Sequence, residues 1–117
     1  MAIMEHMREW RRQRAAKAEV AGLTARDLNE MGVDRTDLNR LAAMPAAQVD
    51  RMHQMAELHG LSAEALDHSP EARAIALTCA NCGATRTCRH ALEDADVTAA
   101  DCDFCPNTET FDRLARS

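Results

Sequence analysis

Five cysteines fall within the 27 positions from Cys79 to Cys105, and no other feature constrains this chain so tightly. The run reads Cys79-Ala-Asn-Cys82-Gly83, then Cys88 after five intervening residues, then Cys102-Asp-Phe-Cys105-Pro106. Two CxxC pairs separated by 19 residues match the spacing of four-thiolate zinc sites, because two residues between ligands let the chain turn and aim both sulfurs at one ion. A metal is also what the composition calls for. The chain has 117 residues, one domain's worth, and aromatics make up only 3%, so its core must be built from Ala, Leu and Met. A core that light benefits from an inorganic staple.

Spacing alone leaves two ligand sets open. Cys79, Cys82, Cys102 and Cys105 form a pair of zinc knuckles; Cys79, Cys82, Cys88 and Cys105 form a close trio plus a remote thiol before proline, an arrangement that also suits a [4Fe–4S] cluster. Gly83 is expected to adopt positive φ and turn backbone amides toward the thiolates, as in a knuckle. Pro106 is expected at the first position of a helix, which would place Cys105 at the positive end of a helix dipole and lower its pKa. Thr87 is expected to cap a helix from Arg89 to about Asp94, giving Cys88 the same advantage, and His90 is a possible substitute ligand. Two rival readings are weaker: five free thiols buried as small hydrophobes, and a redox dithiol, which would call for a βαβ pattern that is absent.

The rest of the chain reads as helix. Residues 3–20 carry Ile3, Met7 and Trp10 on one stripe with arginines on neighbouring faces. Thr24 with Asp27, and Asp34 with Asp37, are start signals for two short helices, the first ending at Gly32 and the second running to Pro45. A helix over about 46–59 buries Val49, Met52, Met55 or Ala56, and Leu58, and stops at Gly60. Ser62 caps the next, with Leu66 inward. Ser69-Pro70 is expected to open a helix to about Leu77, and Pro106 a last one with Phe111 and Leu114 inside. No segment alternates as a strand does. The expected fold is all-α, with several short helices and a C-terminal four-cysteine metal-binding loop region. It divides into a basic, arginine-rich helical segment (1–44) and a small Cys-rich metal-binding domain (45–117).

Charge follows that division. Residues 1–44 hold 8 basic and 7 acidic side chains, residues 45–117 hold 6 and 12, and from Glu93 to Asp112 there are seven acids and no base. Any polyanion contact therefore belongs to the N-terminus, where Arg8, Arg11, Arg12, Arg14 and Lys17 surround Trp10. Those residues are expected to meet a partner, either a protein groove that takes Ile3, Met7 and Trp10 or the phosphates of RNA. Residues 24–41 also resemble a helix-turn-helix, but Asp27 falls where that motif needs an apolar residue and Leu28 where it needs a small one. No run of apolar residues exceeds four, so neither a membrane span nor a secretory h-region is expected, and the chain reads as cytoplasmic.

Two resemblances add to this. Cys79-x-x-Cys82, Cys88-Arg89-His90-Ala91-Leu92 and Phe104-Cys105-Pro106-Asn107, within Met52 to Leu114, resemble a small bacterial domain-of-unknown-function family with a C-x-x-C, C-x-x-x-L and F-C-P-N signature. That resemblance implies Cys79, Cys82, Cys88 and Cys105 as the ligand set, with Cys102 an addition of this sequence. Trp10-Arg11-Arg12 through Leu38 is similar to short arginine-rich proteobacterial proteins, some connected with RNA handling. Catalysis has little support, with no nucleotide loop, no HExxH pair, and three serines of which two are expected caps. The carboxylates of 93–112 read as a solubilising face, and His53, His59 and His68 as surface or capping residues. The expectation is a non-enzymatic regulatory or adaptor protein without a small-molecule substrate. Zn2+ is preferred on the strength of the Cys82-Gly83 knuckle, and a [4Fe–4S] sensor is the alternative.

Overall fold

The computed structural model describes residues 2–117. Among them are eight α-helices, one short 3-10 helix and no strand, and none of the helices is long and apolar enough to cross a membrane. The chain divides into two compact units, Met1–Ala46 and Ala47–Ser117.

The first unit consists of α1 (Ala2–Ala21), α2 (Ala25–Met31) and α3 (Arg35–Ala42), with α1 packed against α3. Its caps form where the sequence signals them. Thr24 and Asp27 make a reciprocal capping box, Asp34 accepts from the Asp37 amide at 2.8 Å, and Gly32 closes α2 in the left-handed region at φ 71°. Arg35 forks onto the carbonyls of Val20 and Leu23, both at 2.6 Å, and so satisfies the C-terminal end of α1, whose last oxygens have no helical partner. A second clamp centres on Glu9. Its carboxylate accepts from Arg12 at 2.8 Å and from the Ala46 amide at 2.9 Å, while Arg12 also donates to the Met44 carbonyl at 2.7 Å.

These donors, Arg12 first and then the Ala46 amide, pull the Glu9 carboxyl from 4.5 down to about 2. A depressed carboxyl stabilises the fold above its ordinary pKa, and that contribution fades as pH falls through the folded value. Amide protection in residues 2–46, corrected for the intrinsic exchange rate, should therefore fall between about pH 4.5 and about pH 2. Glu9→Gln should exchange fast throughout and lose that pH step, and a wild-type step left intact in the variant would contradict the clamp.

The second unit is built on α4 (Ala46–Leu58), α5 (Ala63–His68), α6 (Ala72–Ala80), α7 (Thr85–Glu93), the 3-10 helix Ala99–Cys102 and α8 (Thr108–Ala115). Its core is Met52, Met55, Ala56, Leu61, Leu66, Ile75, Cys102 and Phe111, the thin aliphatic and methionine interior the composition requires, with one aromatic ring at its centre. Gly60, at φ 92°, ends α4, and Ser62 caps α5 through the Ala65 amide at 3.1 Å. Buried Asn107 donates to the Ile75 carbonyl at 3.0 Å, tying the turn before α8 to α6 across 32 residues.

Four expectations are corrected here, all near the cysteines or the core. The Ser69 hydroxyl serves a turn, accepting from the Glu71 amide, so α6 starts two residues later than expected and runs far enough to carry Cys79. Thr87 is not a cap: α7 begins at Thr85 after Ala84, and Cys88 lies inside the helix with its amide bonded to the Ala84 carbonyl at 2.9 Å. Pro106 sits in a turn, and α8 opens at Thr108 behind Asn107. His59 is neither surface nor cap. Its side chain is 1% exposed, held by Asp112 at 2.8 Å and tilted against Phe111, so Asp112 leaves the solubilising face to become a partner.

Candidate metal centre

Four of the five thiols line one small cavity in the second unit, with a free volume of about 30 Å3. Cys79 comes from the last turn of α6, Cys82 from the turn after it, Cys88 from α7 and Cys105 from the turn before α8. Cys102 is elsewhere. It is fully buried in the core, where it packs as a small hydrophobe, and it does not reach the cavity. His90 does not line the cavity either; it faces a separate surface groove with Arg86 and Asp94. All five cysteines are free thiols.

The walls are Met52, Met55, Phe104, Pro106 and Phe111, and α4 adds two polar side chains, Gln48 and Arg51. Residues 48, 51, 52 and 55 are spaced i, i+3, i+4 and i+7, so one face of α4 closes the cavity. Gln48 donates to the Cys79 carbonyl at 2.8 Å and lies 3.7 Å from its sulfur; the Ala84 amide donates to the Cys82 sulfur at 3.3 Å. Arg51 is half-buried and makes no hydrogen bond or carboxylate ion pair among the described residues. Sequence reading missed both polar residues, although their helical spacing with Met52 and Met55 was the signal available.

Burial dominates the thiol chemistry. It pushes Cys88 up to about 11 and raises Cys79 and Cys105, with the neighbouring thiols adding to the shift at all three. The expected dipole-lowered pKa of Cys105 is thus corrected. No helix starts at Pro106, and the neighbouring polar groups of Asn107 and Thr108 only partly offset desolvation. Gly83 is corrected as well: the only positive-φ glycines among the described residues are Gly32 and Gly60, so the Cys82 turn is not built on a left-handed glycine. Among the described residues no group of three or more His, Cys, Asp or Glu side chains is drawn together tightly enough to hold a metal ion. The four thiols stand around the cavity without closing on a point.

Residues 39–117 match a family of unknown function, DUF6455. The chain belongs to the DUF6455 family. The match spans every cysteine and the whole second unit, and it accords with a domain of unknown function over this region. No curated protein and no solved structure matches the chain.

The N-terminal candidates lie in the first unit. Arg8, Arg11 and Lys17 are exposed on α1, and the Arg14 guanidinium stacks over the Trp10 ring at 5.0 Å. Arg12 differs from its neighbours, being committed to Glu9 and the Met44 carbonyl. Ile3, Met4, Met7 and Trp10 are between 48% and 76% exposed, and together with Met31 they are the large apolar side chains that the fold leaves in water.

Proposed function

We propose that the DUF6455 region holds one metal centre on Cys79, Cys82, Cys88 and Cys105, and that the chain is a small non-enzymatic adaptor or regulator organised by it. The observation that carries this reading is the convergence of four thiols and an unpaired guanidinium on one small cavity. A half-buried cation facing neutral thiols has no counterpart, whereas four thiolates around a metal leave a net negative centre that Arg51 offsets. The donor set fits such a group: thiolates are the ligands of both zinc and iron–sulfur centres. Thiol pKa values raised by burial do not oppose it, because a metal takes the place of the protons. Four protein thiolates also fill the coordination positions, leaving none open for catalysis.

The ligand set is tested by purifying the full chain anaerobically and measuring metal per chain. Cys79→Ser, Cys82→Ser, Cys88→Ser and Cys105→Ser should each lose most of the metal, while Cys102→Ser keeps it and costs about 1–3 kcal/mol of stability by burying a hydroxyl. Metal that depends on Cys102 and ignores Cys88 would overturn the set.

A second observation favours a role for α1. Its exposed Ile3, Met7 and Trp10 are spaced as the anchors of a helix that lies in a groove, and Arg8, Arg11, Arg14 and Lys17 rim them. We infer a cytoplasmic protein partner with an apolar groove and an acidic edge. Alanine at Met7 and Trp10 should abolish its capture, and capture should weaken only modestly with salt. RNA phosphates would give the opposite result, a steep salt dependence indifferent to Met7.

A further inference from the structure

We propose that Cys82 is the ligand through which the metal enters and leaves the centre, an inference that rests on the four-thiol ligand set above. All four thiols are part-buried, so exposure alone does not set one apart. The surfaces they line do. Cys82 is shared between the inner cavity and an open groove outside it, which runs from Leu77 and Thr78 at the end of α6 to Phe104 and Pro106. Among the described residues no other thiol lines that groove; Cys79, Cys88 and Cys105 face the inner cavity alone.

Local structure agrees. Cys79 sits in the last turn of α6 with the Gln48 side chain 3.7 Å from its sulfur, and Cys88 lies inside α7, its amide bonded to the Ala84 carbonyl. Cys105 precedes the turn that Asn107 ties to Ile75. Cys82 belongs to the short turn between α6 and α7, where its neighbours Asn81 and Gly83 are exposed, and the Ala84 amide at 3.3 Å fixes where its sulfur stands. Thiol exchange depends on access, so it starts at the sulfur that an incoming group can approach. In the groove, a small thiolate complex of zinc passes its metal to Cys82: a bond forms from zinc to the Cys82 sulfur, the bond to the carrier's sulfur breaks, and the Cys82 proton leaves on the carrier. The metal then moves inward to Cys79, Cys88 and Cys105, each of which yields its proton to solvent as it binds. Release is the reverse.

Gly83 keeps the entrance wide. A Cβ at that position would meet no atom within 4 Å, and its φ is not in the left-handed region, so a larger side chain is accommodated there without strain. Because Gly83 lines the groove beside Cys82, such a side chain narrows the approach and leaves the four ligands in place.

Two measurements on the full chain test this. In the first, the reduced, metal-free protein meets limiting iodoacetamide and its peptides are sequenced by mass spectrometry; Cys82 should be alkylated about fivefold or more faster than Cys79, Cys88 or Cys105. In the second, protein loaded with zinc alone is mixed with an excess of a coloured chelator. Gly83→Leu should release its zinc about tenfold more slowly than the wild type, with zinc per chain and thermal midpoint unchanged. Alkylation that begins at Cys79, Cys88 or Cys105 would overturn the entrance while leaving the four-thiol centre standing, and so would a release rate that Gly83→Leu leaves unaltered. A chain that takes up no zinc overturns the centre and its entrance together.

Discussion

Replacing Phe111 with alanine should destabilise the unit Ala47–Ser117 by about 3–5 kcal/mol, the range for truncating a buried aromatic ring. Phe111 is 1% exposed and is the one aromatic side chain buried in the core. It meets Met52 and Met55 of α4, lies 5.8 Å from the His59 ring, and its amide bonds to the Asn107 carbonyl at 2.8 Å. Small domains hold a net stability of about 5–15 kcal/mol, so this single change would remove about a fifth or more of it. The cost is high because the ring is large and fully buried, and its removal leaves a cavity between separate helices. Phe104→Ala is the control: its ring is only half-buried at the cavity edge, and the loss should be clearly smaller. Denaturant midpoints of the two variants provide the comparison. An equal loss at both positions would mean that the core is not centred on Phe111.

Removing the metal should have a larger effect still. Structural metal binding in small thiolate sites is worth about 10–16 kcal/mol in apparent terms, which equals or exceeds the whole stability of a typical domain. The proposed centre joins α7, which has no fully buried residue of its own, to α6 and the turn before α8. A chelator should therefore release the protection of amides in α7 before that of α4, α6 and α8, whose Met55, Ile75 and Phe111 belong to the fully buried core. Hydrogen exchange with and without chelator measures this. Undiminished protection throughout α7 after complete metal removal would deny the centre any structural role.

Helix boundaries were legible wherever the signal was local. Thr24 with Asp27, Asp34 with Asp37, and Ser62 each cap an amide three residues ahead, and Gly32 and Gly60 end helices through their own backbone freedom. Misreadings cluster where distant groups decide. Ser69 and Pro106 resemble helix starts in isolation, but the turn before α8 is pinned by the bond from Asn107 to Ile75, and no sequence window contains both partners. Arg12 is indistinguishable from Arg11 in the sequence, yet the Met44 carbonyl 32 residues away engages it. The same distinction holds at the site. Cysteine spacing pointed to the thiols that line the cavity, and the choice between Cys88 and Cys102 came from a resemblance, because burial in the core is a property of the folded chain. Gln48 and Arg51 were overlooked because attention to apolar periodicity along α4 passes over the polar members of the same stripe.

The four thiols are unevenly spaced along the chain, and a centre built on them would assemble in an order set by that spacing. Cys79, Cys82 and Cys88 lie close in sequence, on the end of α6, the turn after it and α7, so these three can be brought together at little cost in loop closure. Cys105 follows only after 16 further residues, including the 3-10 helix, and its arrival closes a loop at an entropic cost the first three avoid. If the proposed centre forms, its loading is expected to be a two-stage capture, an early tridentate cradle followed by a late latch.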